Sequence, residues 1–97
     1  MLSKIPYESL SEYIASKCNG AKFILDGFAG VGSLTIKMAS INSCAKVIAN
    51  EKDKEKLSFL LNNATVYEVD CFLELSNRDF LKIDRKDIDV VVVHPPL

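Results

Sequence analysis

The chain has 97 residues, 48% of them hydrophobic and 26% charged, with a formal net charge of −1; this is the make-up of one globular domain, and it excludes a strong nonspecific attraction to nucleic acid or to an anionic membrane. No apolar run approaches the roughly 18 residues of a membrane span, and the N-terminus carries Lys4 and Pro6 without the apolar stretch of a secretory leader. Cys18, Cys44 and Cys71 are odd in number and widely spaced, with no C-x-x-C pair, which points to reduced thiols in an intracellular protein and not to a disulfide framework or zinc site.

In chain order, Pro6 to Cys18 is predicted as a helix, with Pro6 at a first helical position and Leu10, Tyr13, Ile14 and Lys17 or Cys18 on one face. Asn19-Gly20 stops it. Strand one is expected over 22–26, followed by Asp26-Gly27-Phe28-Ala29-Gly30-Val31-Gly32 and a helix from Ser33 to about Ile41. Strand two is Lys46–Asn50, ending at Glu51; Asp53 then caps a helix from Lys54 to about Tyr67, with Leu57, Leu60, Leu61 and Ala64 as its apolar face. Phe72–Leu75 is strand three, 77–80 a turn, and 84–87 a polar break or the remnant of a short helix. Ile88–Val93 is strand four, a nearly continuous β-branched run of the kind buried in parallel sheets, and the chain closes on His94-Pro95-Pro96-Leu97.

Strands alternating with helices predict a parallel sheet with right-handed crossovers. In the doubly wound order 3-2-1-4, with helices on both faces, the direction of winding switches between strands one and four. Ligands bind at the carboxyl ends of the strands there. The glycine-rich loop and the His94-Pro95-Pro96 turn then flank one crevice.

A strand, a glycine-rich turn and a helix make a cofactor cradle, because glycines let the backbone approach a ligand and the helix start presents its amides. A dinucleotide fingerprint requires G-x-G-x-x-G. Here Gly30-x-Gly32 is followed by Leu34 and Thr35, so the third glycine is absent and a nucleotide-binding domain of the NAD type is disfavoured. Asp26 at the strand tip suits a ligand with a cationic end, and S-adenosylmethionine is one. Glu51, at about the 20-residue spacing after the loop, can accept hydrogen bonds from both ribose hydroxyls. Asp79 can accept from the exocyclic amine of an adenine, with Phe80 against the ring. The two prolines after strand four fix a rigid extended turn. Its carbonyls, with the side chain of His94, can hold an amine beside the donor methyl. With one histidine in the chain, neither a serine–histidine triad nor a metal cluster is supported.

These motifs resemble the trimethylguanosine synthases. The loop Asp26–Gly32 with Thr35-Ile36 looks like that family's first motif. Val47-Ile48-Ala49 before the acid at 51, Asn62-Asn63-Ala64 with Val66-Tyr67, Asp79-Phe80-Leu81 and the Pro95-Pro96 turn continue the likeness over most of the chain. The resemblance implies a class I S-adenosylmethionine-dependent methyltransferase acting on the exocyclic amine of the 7-methylguanosine cap of small RNAs, in the nucleus. Asp26, Gly27, Phe28, Ala29, Gly30, Gly32, Glu51, Asp79 and Phe80 would hold the cofactor, and His94, Pro95 and Pro96 the amine.

The sequence departs from that family at Ser33-Leu34 for Gly-Asn, Glu51 for Asp, His94 for serine and Leu97 for the stacking tryptophan. The 97 residues are therefore expected to form a single, incomplete cofactor-binding domain without its last strands, and to show no turnover alone. The open edge of strand four is expected to meet a partner or a second copy. The alternatives are a catalytically inactive cofactor-binding or interaction module on the same half-fold, or another amino-methyltransferase acting on RNA, DNA or protein.

Overall fold

The computed structural model describes residues 7–42 and 45–93. The elements run α1 (Tyr7–Lys17), β1 (Phe23–Asp26), α2 (Ser33–Ile41), β2 (Lys46–Asn50), α3 (Lys54–Val66), β3 (Leu73–Ser76) and β4 (Val90–Val92). The strands form one parallel sheet in the order β3-β2-β1-β4. This is the doubly wound order expected, with β1 central and the glycine-rich loop leaving its carboxyl end.

Alternation along the strands divides the sheet into two unlike faces. Ile24, Val47, Leu73, Val90 and Val92 join Ala15 and Cys18 of the α1 region, Leu34, Met38 and Ala39 of α2, and Ala64 of α3 in one core. Ala49 meets Leu60 and Ala29 in a smaller cluster beside it. All three α-helices among the described residues therefore lie on this face. The other face presents Leu25 and Ile48, both buried, under the segment that crosses from β3 to β4 and brings Phe80, Ile83, Arg85 and Ile88 near them. On that side the expected helices reduce to one 3-10 turn, Phe80–Lys82, while 84–87 is irregular. Arg85 holds this thin cover down by pairing with Glu74 of β3 and, at 2.6 Å, with Asp87.

Several expected bounds shift. Phe72 ends a 3-10 turn, Asp70–Phe72, so β3 starts one residue later and reaches Ser76. Strand four shortens to Val90–Val92 because Asp89 acts as a cap: its Oδ2 accepts from the amides of Lys22 (2.7 Å) and Phe23 (2.9 Å) at the start of β1. The buried stripe of α1 includes Ser11 and Ala15, beside Ile14 and Cys18, while Tyr13 is exposed. Small residues let α1 approach α2 closely, and hydrophobicity alone does not reveal such a stripe. On α3, Leu60 and Ala64 are buried and Leu61 faces outward. Asp53 caps α3 as expected, its Oδ1 accepting from the amides of Glu55 and Lys56. Pro6, Cys44 and the whole turn His94-Pro95-Pro96-Leu97 lie outside the described residues.

Candidate cofactor site

The site is built on the carboxyl ends of β1, β2 and β3. Asp26 closes β1 but is not an open carboxylate at the strand tip. It is buried, and its Oδ2 accepts a 2.6 Å hydrogen bond from the hydroxyl of Thr35 in the first turn of α2. Thr35 occupies the position of the third glycine in a dinucleotide fingerprint. That glycine would bring helix and strand together by having no side chain; here a buried hydroxyl–carboxylate bond joins them. The Cys18 thiol is pushed above its usual range by burial first and by the charge of Asp26 second.

The glycine-rich loop is tied down along its length. The Gly27 amide donates to Val92 O (3.1 Å), that of Ala29 to Asn50 O (2.9 Å), that of Gly32 to Ala29 O (3.0 Å), and that of Gly30 to Oε1 of Glu51 (2.9 Å). Its glycines serve different ends. At Gly27 a Cβ would stand 2.6 Å from the Phe80 ring, so glycine lets that ring lie on the backbone. Gly32 has φ +102, and a Cβ there would stand 2.8 Å from Leu60 Cγ. Gly30 has φ +59 and faces open space: a Cβ would meet nothing within 4 Å. The loop is therefore packed from below at Gly32, covered from the side at Gly27 and open at Gly30, between the exposed side chains of Phe28 and Val31.

Glu51, the expected ribose acid, stands beside this opening with both oxygens engaged. Oε1 accepts from Gly30 and Oε2 from the amide of Asp53, each at 2.9 Å. Asp79 begins the 3-10 turn and accepts from the Leu81 amide through Oδ1. Phe80 follows it, packed on Gly27, its ring centroid 5.3 Å from that of Phe28 and tilted by 37°. The described part of the predicted cofactor set, from Asp26 to Phe80, is thus gathered at one end of the sheet. His94, Pro95 and Pro96, which come after β4 in sequence, lie outside the described residues.

Sequence reasoning missed three asparagines that hold the loops. Asn50 is buried, with all its hydrogen-bonding capacity in use. Its Nδ2 donates to Gly27 O (3.2 Å) and Arg78 O (3.0 Å), and its Oδ1 accepts from Ser76 Oγ (2.8 Å) and the Arg78 amide (3.1 Å). Asn63 donates to Val31 O (3.0 Å), and Asn77 to Glu51 O (2.7 Å) and Lys52 O (2.9 Å). Asn63 belongs to the motif singled out in the sequence; the only signal for Asn50 was its place at a strand end beside an acid.

α2 starts behind Gly32, which has no side chain to cap it; the positive end of the helix dipole faces the loop and the Asp26 carboxylate that meets Thr35 in the first turn. An open glycine surface, a rim carboxylate, an aromatic pair and a positive helix end suit a ligand with a sugar, a flat base and a carboxylate. Among the described residues no helix is long and apolar enough to cross a membrane, and no group of acids, cysteines and histidines could hold a metal.

The chain is similar in fold to several solved methyltransferases. An S-adenosylmethionine-dependent O-methyltransferase from Thermotoga maritima is 27% identical, with a TM-score of 0.78 over 90% of this chain and 34% of its own length. TYW2 from P. horikoshii, solved in complex with MeSAdo, is 26% identical, with a TM-score of 0.75 over 90% of this chain and 34% of its own. The complex of aTrm5 with tRNALeu shares the fold at 20% identity and a TM-score of 0.76, over 96% of this chain and 27% of the other. The chain thus spans about a quarter to a third of the length of these proteins. The expected Rossmann-like methyltransferase fold is borne out, whereas nothing in these likenesses is specific to the trimethylguanosine synthases. The family model for the TRM5/TYW2 methyltransferase domain matches residues 7–96, and the chain belongs to that family.

Proposed function

We propose that this domain is the cofactor-binding part of an S-adenosylmethionine-dependent RNA methyltransferase directed at tRNA. The observation that carries the cofactor assignment is the open face of Gly30 beside the Glu51 carboxylate, with Thr35 in place of the third fingerprint glycine. The cofactor is S-adenosylmethionine, which supplies an electrophilic methyl group on a sulfonium. In this reading the loop Gly27, Phe28, Ala29, Gly30 and Gly32 gives the ligand a backbone surface. Glu51 takes the ribose hydroxyls, and Asp79 and Phe80 take the adenine end. Asp26 acts through Thr35 by fixing the start of α2. His94, Pro95 and Pro96 are proposed to hold the acceptor amine.

The tRNA assignment is supported by the family and by the tRNA complex of a protein with this fold. Methylation of the cap of small RNAs, suggested by the shared motifs, is the competing substrate, and a nuclear location is tied to it. An intracellular compartment is proposed on the odd number and wide spacing of the three cysteines.

Two measurements test this. Calorimetric titration with S-adenosylhomocysteine and with NAD should show tighter binding of the former; the reverse order overturns the cofactor assignment. Methyl transfer from labelled cofactor, measured with the protein that carries this domain, should label tRNA. Labelling of 7-methylguanosine-capped RNA in preference to tRNA would overturn the substrate assignment.

A further inference from the structure

Two loops that must keep a fixed separation to form one crevice are joined through a single buried side chain. Asn50 bonds the carbonyl of Gly27, in the glycine-rich loop, and both backbone groups of Arg78, in the loop that leads to Asp79 and Phe80. The Ser76 hydroxyl completes its shell. Phe80 lies on the Cα of Gly27, so the contact between the loops depends on their spacing. The backbone of β2 fixes Ala29 through Asn50 O as well. From these contacts we infer that Asn50 is a positioning residue for the cofactor, setting the gap between the glycine-rich loop and the adenine-side turn. The inference rests on the cofactor assignment above.

A purely structural asparagine would look much the same in a stability measurement, and the fold supplies a matched control. Asn42 is also buried, and its Nδ2 also donates to two carbonyls, Ala15 O (3.0 Å) and Met38 O (3.1 Å). It caps the far end of α2, a helix of nine residues, so it stands roughly 13 Å along the helix from the loop. Asn50→Asp and Asn42→Asp therefore make the same chemical change. Each keeps an acceptor of similar shape, removes two N–H···O=C bonds and sets a carboxylate oxygen against two carbonyls.

The test is the affinity for S-adenosylhomocysteine of the wild type and both variants, measured well below their melting temperatures, with hydrogen exchange of the backbone amides. Asn50→Asp should weaken binding by about tenfold or more, because it sets a buried carboxylate oxygen against the Gly27 and Arg78 carbonyls and so displaces both loops. It should speed exchange in 27–30 and 78–81 together. Asn42→Asp should lower the melting temperature while leaving affinity and those amides unchanged. Equal binding by Asn50→Asp and wild type, or equal weakening by the two variants, overturns the inference. If Asn50→Asp does not fold, Ser76→Ala decides: an affinity loss of about threefold, the scale of one neutral hydrogen bond, supports the inference and no loss overturns it. A wild-type chain that does not bind the product overturns the cofactor assignment, and this inference with it; binding by wild type and Asn50→Asp alike overturns this inference alone.

Discussion

Replacing each loop glycine by alanine separates three physical reasons for having glycine there. Gly30→Ala meets a backbone penalty only, since φ is +59 and the new methyl has open space. A left-handed L-residue costs about 1–2 kcal/mol, offset in part by the lower entropy of the unfolded chain, so the net loss is about 1 kcal/mol. Gly27→Ala has no positive φ, but its methyl would stand 2.6 Å from the Phe80 ring. A ring at the end of a side chain can swing aside, so the cost is about 1–2 kcal/mol. Gly32→Ala meets both penalties: φ +102, and Leu60 Cγ at 2.8 Å in the core. Backbone strain of roughly 1–3 kcal/mol adds to overpacking of roughly 1–3 kcal/mol, giving a loss of about 2–6 kcal/mol. In a domain of this size each kcal/mol lowers Tm by about 4–8 °C, so Gly32→Ala should lower Tm by more than about 8 °C and Gly30→Ala by roughly 4–8 °C. Thermal and urea unfolding measure the order. The affinity order is different, because Gly30→Ala puts its methyl where the ligand approaches. It should weaken S-adenosylhomocysteine more than its small stability cost implies. The reasoning is refuted if Gly30→Ala destabilises as much as Gly32→Ala, for then the Leu60 contact contributes nothing.

Glu51→Ala should weaken S-adenosylhomocysteine by roughly tenfold, with the fold retained by circular dichroism; an unchanged dissociation constant shows that Glu51 only braces Gly30 and Asp53. Asp89 is held below the usual carboxylate range by the Phe23 amide first and the Lys22 amide next. Its stabilising effect is therefore present above the unfolded value of about 3.9 and is lost as pH falls through the lower folded value. Asp89→Asn should flatten the acid limb of a stability-versus-pH curve in that window, and an unaltered limb refutes the role. Glu68 follows α3 at φ +59, where glycine is favoured, so Glu68→Gly should stabilise by about 0.5–1 kcal/mol in urea unfolding; destabilisation would show that its side chain holds something.

The strand order was legible because hydrophobic runs and their alternation with helices are large, repeated signals. Lys46–Asn50 and the start of α2 at Ser33 coincide with their expected bounds. The shorter β4 was not legible, since Ile88 continues the β-branched run across Asp89 and only the Asp89 cap on Lys22 and Phe23 ends the pairing. The buried stripe of α1 escaped because Ser11 and Ala15 are chosen for size, which a hydrophobicity pattern does not weigh. Asp26 was placed correctly at the strand tip, but its bond to Thr35 depends on how α2 leaves the loop. Asn50 was invisible for the same reason: its four partners come from positions 27, 76 and 78, distant in sequence.

The loops of this site are held by the protein's own hydrogen bonds. Glu51 already accepts two amides, and Gly27, Ala29, Gly30 and Gly32 already donate theirs. A ribose that bonds Glu51 therefore adds to, or exchanges with, an existing amide–carboxylate bond, so the net gain is smaller than that of a bond formed with an unoccupied acid. What the protein gains from the occupied state is preorganisation, because a loop held by Glu51, Asn50 and Asn63 loses little freedom when it binds. This gives Glu51 and Asn63 separable signatures. Removing Glu51 takes away a brace and, in the proposed reading, a ribose contact, so it should affect affinity and loop exchange together. Removing the Asn63 amide frees Val31 without touching the predicted ribose contact; it should loosen the loop and raise the entropic cost of binding while leaving the enthalpy of the Glu51 contact in place. A calorimetric comparison of Glu51→Gln with Asn63→Ala distinguishes contact from preorganisation: the first should lose mainly enthalpy and the second mainly entropy. Identical signatures would mean that the two side chains act through one common movement of the loop.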